Sequence, residues 1–299
     1  MAFEDDLLDL EREVLALAAG DWLGKIDEIR ALLLTESPAL RGAVLELLAP
    51  TIDDTALVGL VRAAQLGADE AATIARLGNL SDDLLAQVNL AERNVTVPAS
   101  IERDVRGLGA RAAEALDKAK RLLIAGAALD AVTAPLIENQ NRTRLVLETA
   151  VNAAANQAIV DVAEAGRLPL VWVAERDACV VCLAYAGRVV SGGETFPGGL
   201  TFGAKSYNPD PVSGPPRHPH CRCHVEPLND QSYADALKRE AVRSILRGYS
   251  LENESMTVRL EAAQRLINGK VDAPASVIKF AQRSIKAGAF PTRNVPGAA

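Results

Sequence analysis

The stretch that decides the fold reads Cys179-Val180-Val181-Cys182 and, after a loop rich in glycine and proline, His218-Pro219-His220-Cys221-Arg222-Cys223-His224. All 4 cysteines and all 3 histidines of the 299-residue chain lie between its two ends. A Cys-x-x-Cys turn lets two thiolates face one ion, and a second cluster some 35 residues later can close a tetrahedron around it. The loop between them holds Gly192-Gly193, Gly198-Gly199 and a proline-rich run from Asn208 to Pro219, with few large apolar side chains to order it. Metal binding can supply the missing folding free energy, on the order of 10 kcal/mol at structural sites.

The expectation is therefore one structural zinc ion. Its ligands are drawn from Cys179, Cys182, His218 and one or both of Cys221 and Cys223. His220 stays open as ligand, as a donor behind the ligands, or as a solvated side chain. His224, at the exit of the cluster, is the weakest candidate. Asp177, two residues before the first cysteine, is placed to satisfy donors around the thiolates. Arg222 either pins the loop by hydrogen bonds or meets phosphate. Disulfides would need an oxidising compartment, to which nothing in the sequence points. A redox Cys-x-x-Cys usually opens a helix after a strand and needs no distant His/Cys cluster. A catalytic zinc keeps a position open for water, whereas here candidate ligands outnumber places.

Upstream of this module the chain reads as successive helices. Residues 3–17, 39–48, 53–65, 82–90 and 101–129 are rich in Ala, Leu, Glu and Arg, which lose little entropy in a helix. Ser81 before Asp82-Asp83, and Thr51 before Asp53-Asp54, offer capping oxygens and negative charge at helix starts. Over 142–165, Leu147, Val151, Ala154, Ala158, Val162 and Ala165 form one narrow stripe of small apolar residues, suited to a closely packed neighbour. Gly166 is the expected left-handed residue after it. Then the texture changes. Only Phe3 and Trp22 of the 11 aromatic residues precede position 170. Residues 170–173 and 188–190 read as short strands, with Trp172 as the anchor of a small core. Helices return over 232–247, 257–267 and 275–287, before a loose tail from residue 291.

The fold class expected is mainly α: a multi-helix N-terminal region, a small zinc-stabilised α+β or irregular module with short strands, and a helical C-terminal extension. The domains follow as an acidic region over 1–130, a helix plus Cys/His module over 131–228, and a basic tail over 229–299. Residues 1–100 carry 7 Lys/Arg against 18 Asp/Glu, and residues 229–299 carry 11 against 7. A net charge of −7 and a pI near 5.2 speak against a strong nucleic-acid binder. Lys238, Arg239, Arg243 and Arg247 are the candidates for DNA contact, with a solvated helix face as the plainer reading. No apolar run reaches the length of a membrane span. The acidic start differs from a secretory signal and suggests the cytoplasm, or a particle assembled there. No nucleophile elbow, phosphate loop or zincin helix is present, so an enzyme is not expected.

The order of these features resembles a known family. A helix bearing Asn141-Arg142-Thr143 is followed by Gly166, Trp172, Asp177-x-Cys179-x-x-Cys182, Gly187 and His218-Pro219-His220-Cys221-Arg222-Cys223. This is similar to the phage Mu F-like head morphogenesis, or minor head, proteins of tailed phages, over roughly residues 100–228. The resemblance implies a minor virion protein at the portal vertex, inside the capsid, assembled in the host cytoplasm. It implies the portal protein and other procapsid components as partners, in some cases packaged DNA, and a role in procapsid assembly and DNA packaging or ejection. Some relatives add a toxin or ADP-ribosyltransferase domain after the box. The 71 residues after position 228 are too few, and too poor in strand signals, for one.

Overall fold

The structure is a computed structural model and describes residues 2–35, 41–46, 55–205, 209–249 and 254–291. The expected Thr51 cap and the tail from residue 292 lie outside them. The chain is mainly helical with one small sheet, as the sequence predicts. The helices are α1 (Ala2–Thr35), α2 (Arg41–Glu46), α3 (Thr55–Leu77), α4 (Asp82–Arg93), α5 (Ala99–Ile124) and α6 (Leu129–Ala165), then α7 (Val180–Tyr185), α8 (Gln231–Arg247), α9 (Met256–Asn268) and α10 (Ala275–Ala287). The strands are β1 (Leu170–Val173), β2 (Val189–Val190) and β3 (His224–Pro227). No helix among the described residues is long and apolar enough to cross a membrane.

The chain divides into two compact units, Met1–Gly67 with Val95–Ala155 and Ala68–Asn94 with Asn156–Ala299. The dividing points fall inside α3 and α6 and between α4 and α5, so α3 and α6 each contribute residues to both units.

In the first unit, α1 runs past residue 17, where the sequence suggested an end. Gly20 and Gly24 weaken the helix by about 1 kcal/mol each relative to alanine. Trp22, Ile26, Ile29 and Leu33 recur at helical spacing and are all buried, which outweighs that loss. Trp22 donates its indole N–H to Asn139 Oδ1 at 2.9 Å, and Gln140 Nε2 donates to the Leu23 carbonyl at 2.8 Å, tying α1 to α6. The alanine-rich stripe has the close neighbour it called for. A Cβ on Gly67 of α3 would lie 2.2 Å from the Ala155 carbonyl oxygen of α6.

The second unit carries the short strands. β1 is fully buried and central, in the antiparallel order β2-β1-β3. Leu170 pairs with Val190 on one side, and Trp172 with Val225 on the other. β3 was not anticipated, because His224-Val225-Glu226-Pro227 is short and lacks clean alternation. In α4, Ser81 Oγ accepts the Leu84 N–H ahead of Asp82 and Asp83, as expected. After α6 the left-handed residue is Arg167, not Gly166: its φ is 52°, and the Leu168 N–H returns to the Ala163 carbonyl at 2.8 Å. Gly166 serves close packing instead, since a Cβ there would meet Val88 Cγ2 at 2.7 Å.

The C-terminal helices are part of this unit. Ala241 and Ile245 of α8, Ala262 and Ala263 of α9, and Phe280 of α10 share a core with Val180 and Leu183 of α7. At Gly187 the chain needs glycine twice. Its φ is +69°, and a Cβ would lie 2.2 Å from the Ala234 carbonyl oxygen of α8.

Candidate metal centre

The sheet delivers the two halves of the cysteine/histidine cluster. β1 leads into α7, whose N-cap residue is Cys179: its sulfur accepts the Cys182 N–H at 3.4 Å, so both sulfurs of the pair face one side of the turn. The pair therefore opens a helix after a strand, a feature it shares with redox motifs, but here a second cluster stands opposite. β3 pairs with β1 and begins at His224, which brings the preceding box back over that turn. The Trp172 ring, wholly buried, packs against Tyr185 at 4.7 Å and edge-on to Phe196 at 5.2 Å. It anchors the module's core and does not line the site.

The five expected donors come together. Cys179, Cys182 and His218 form one group, and Cys182, Cys221 and Cys223 a second, with donor atoms inside each group no more than 4.8 Å apart. All four cysteines are free thiols. His218 Nε2 is 3.1 Å from both the Cys179 and the Cys182 sulfur, and the sulfurs of Cys182 and Cys221 are 3.7 Å apart. Zinc bonds of about 2.3 Å to sulfur and about 2.0 Å to nitrogen, meeting at tetrahedral angles, place two sulfurs about 3.8 Å apart and a sulfur about 3.5 Å from the nitrogen. The Cys182–Cys221 separation agrees with such a site, the imidazole nitrogen lies somewhat closer to the sulfurs than it requires, and the cluster can hold a metal ion.

The histidine is set for such a role. His218 Nδ1 lies 2.7 Å from the Pro219 carbonyl, which can only accept, so Nδ1 carries a proton and Nε2 faces the thiols. One nitrogen between two sulfurs can offer one hydrogen at most; a cation satisfies all three atoms together. The electrostatics agree. The Cys179 thiol is drawn down from 9.0 to about 4 by its hydrogen bond with Cys182, against burial and with help from His218. His218 is lifted from 6.5 to about 9, chiefly by Cys179. Hydrogen bonds from Cys182 and Cys223 hold Cys221 well below the usual thiol range. Negative charge thus falls on Cys179 and Cys221, while Cys182 is pushed up by its hydrogen bond with Cys179, and Cys223 by Cys221 and burial, against a hydrogen bond with Cys182.

The remaining residues sort themselves out. Arg222 donates to Asp177 at 2.6 Å, an ion pair that links the box to the segment before Cys179, so both serve the loop rather than the ion. His220 lies outside both donor groups. It is exposed, with a φ of 59°, on the wall of a cavity of about 370 Å³ that also borders Cys179, Cys182, His218 and Cys221. His224 is buried and hydrogen-bonds to Glu226 at 2.8 Å, away from the sulfurs. On α8 the expected DNA face is partly neutralised. Lys238 pairs with Asp235, Arg243 with Glu240, and Arg247 lies over the Phe280 ring at 5.3 Å. Arg239 is exposed.

Asn156, in the middle of α6, was missed. Its side chain accepts the Val225 N–H at 2.9 Å and donates to the Cys223 carbonyl at 3.4 Å, holding the end of the box as a neighbouring strand would. The sequence offered no signal for it, because Asn156 lies on the opposite side of the helix from the apolar stripe. Comparisons with protein-family models, with curated proteins and with solved structures give no match.

Proposed function

We propose that the chain is a minor head, or head morphogenesis, protein of a tailed phage, acting in procapsid assembly and in DNA packaging or ejection near the portal vertex, and that its cluster is a closed structural zinc centre. One observation carries the reading. The two halves of the Mu F-like signature, far apart in sequence, meet with His218 Nε2 3.1 Å from both sulfurs of the Cys-x-x-Cys pair. The ligands in this reading are Cys179, Cys182, His218 and Cys221: the Cys221 sulfur lies 3.7 Å from that of Cys182 and, unlike Cys223, interacts electrostatically with His218. Zinc suits a set of three thiolates and one imidazole, and an ion with four protein ligands has no place left for a reacting water. The role is therefore architectural, not enzymatic. The partner in this reading is the portal protein with other procapsid components, and the location is the virion.

The test is co-expression of the tagged chain with the portal protein of its phage. Co-purification of the portal at physiological salt is expected. No portal binding, together with salt-sensitive DNA binding, would contradict it and favour the second reading, a zinc-stabilised DNA-binding module. A specific observation supports that alternative. Lys279, Arg283 and Lys286 are exposed along α10 at helical spacing, and this helix contains no acidic residue. DNA contact by the C-terminal helices would thus fall on α10 rather than on the α8 cations. Replacing all three by alanine should flatten the salt dependence of DNA binding by up to about 3 in log–log slope.

A further inference from the structure

Arg259 is the only charged residue among the described residues that is wholly buried. It stands on α9, outside the stretch that resembles the phage family, yet its Nη2 donates to the Ala178 carbonyl at 2.9 Å. Five residues before it in the chain, Glu254 accepts the Val180 N–H on Oε1 at 2.8 Å. These two backbone groups flank Cys179 on either side. Glu254 and Arg259 also attract each other, with Nη2 3.5 Å from Oε2. Burial draws the Arg259 guanidinium down to about 10, with Glu254 opposing.

Burying a guanidinium costs several kcal/mol unless its partners are good. Here Nε and Nη1 of Arg259 and Oε2 of Glu254 have no hydrogen-bond partner among the described residues. An apolar side chain of similar volume would fill the same core with less desolvation, so packing alone gives no reason for an arginine. What arginine adds is a fixed donor on the carbonyl before Cys179, while the carboxylate fixes the amide after it. Together they set the backbone on both sides of the first ligand of the cluster.

We infer that Glu254 and Arg259 are positioning residues for the metal centre, a clamp by which the C-terminal helices hold the Cys179 turn in its metal-binding conformation. The inference rests on the metal reading of the cluster. Its consequence is that residues 254–268 belong functionally to the centre, so metal binding and the docking of α9 reinforce each other in both directions.

The measurement is zinc affinity of the full chain, by competition with a chromophoric chelator, alongside melting temperatures with and without zinc. Arg259→Met should weaken zinc binding by about 10- to 100-fold, as loss of groups supporting ligands does. Arg259→Lys, which keeps one donor for the Ala178 carbonyl, should lose less. A purely structural role would lower both melting temperatures equally and leave zinc affinity unchanged, which would overturn the clamp. Should Arg259→Met fail to fold, Glu254→Ala gives the same decision. Faster hydrogen exchange at the Val180 amide with weaker zinc binding supports the clamp, and unchanged zinc affinity overturns it. Wild-type protein that takes up no zinc would overturn the metal reading and the clamp with it. Wild-type binding matched by both variants would overturn the clamp alone.

Discussion

Cys182 stands where the two donor groups meet, and its neighbours decide which four atoms an ion would take. His218 Nε2 closes the group on one side and Cys221 lies 3.7 Å away on the other. Cys221→Ser is therefore expected to remove most of the bound metal, and Cys223→Ser to retain it; the reverse order in a metal assay would reassign the fourth ligand. The charges also fix a pH dependence for protein stripped of metal. Cys179, depressed from 9.0 to about 4, contributes stability that is complete above 9 and is withdrawn as pH falls toward 4. His218, raised from 6.5 to about 9, contributes fully below 6.5 and loses that contribution as pH rises through 9. Between 6.5 and 9 the His218 slope cancels that of one cysteine, while Cys221, also held down, adds a second, so stability falls as pH falls, and falls more steeply below 6.5. Chelator-treated protein should melt at a falling temperature as pH drops from 9, and more steeply below 6.5. A melting temperature that rises on acidification would contradict a thiolate–imidazolium pair. At this scale the ligands were legible because thiols and imidazoles are rare and their spacing is diagnostic. Asn156, Glu254 and Arg259 were not, since a side chain that bonds to backbone leaves no spacing pattern.

Helices show where local preference and packing part company. The starts of α4 and β1 were readable from Ser81, Asp82 and the aromatic and β-branched run at Leu170–Val173. The continuity of α1 was not, because its glycines oppose a helix that tertiary burial of Trp22 and Ile26 sustains. Gly24 and Gly67 therefore have opposite predicted behaviour. A Cβ at Gly24 meets nothing within 4 Å, so Gly24→Ala should stabilise by about 0.5–1 kcal/mol through the unfolded chain. At Gly67 a Cβ would press on the Ala155 carbonyl, so Gly67→Ala should destabilise by about 1–3 kcal/mol. Denaturant melts of the two variants check both signs; equal shifts would contradict the helix contact. β3 and α7 escaped notice for a related reason. Each is only four to six residues long and exists because β1 and the C-terminal helices give it somewhere to pack.

For the whole molecule, the acidic beginning and basic end seen in the charge count do not mark a tail that stands apart. Helices α8, α9 and α10 build their core together with α7, the helix that Cys179 caps. That arrangement makes the cluster the place where β1, β3 and the C-terminal helices are fixed to one another within the second unit. It also shows how a loop so poor in apolar side chains is held: the Arg222–Asp177 pair and Asn156 fix it at separate points, and the proposed ion would add a third. The most direct test of this account is native mass spectrometry of the full chain as purified, before and after acidification or chelation. One zinc ion per chain is predicted, lost on treatment together with a drop in melting temperature. A chain that carries no metal, with four titratable free thiols and an unchanged melting temperature after chelation, would contradict the structural zinc centre.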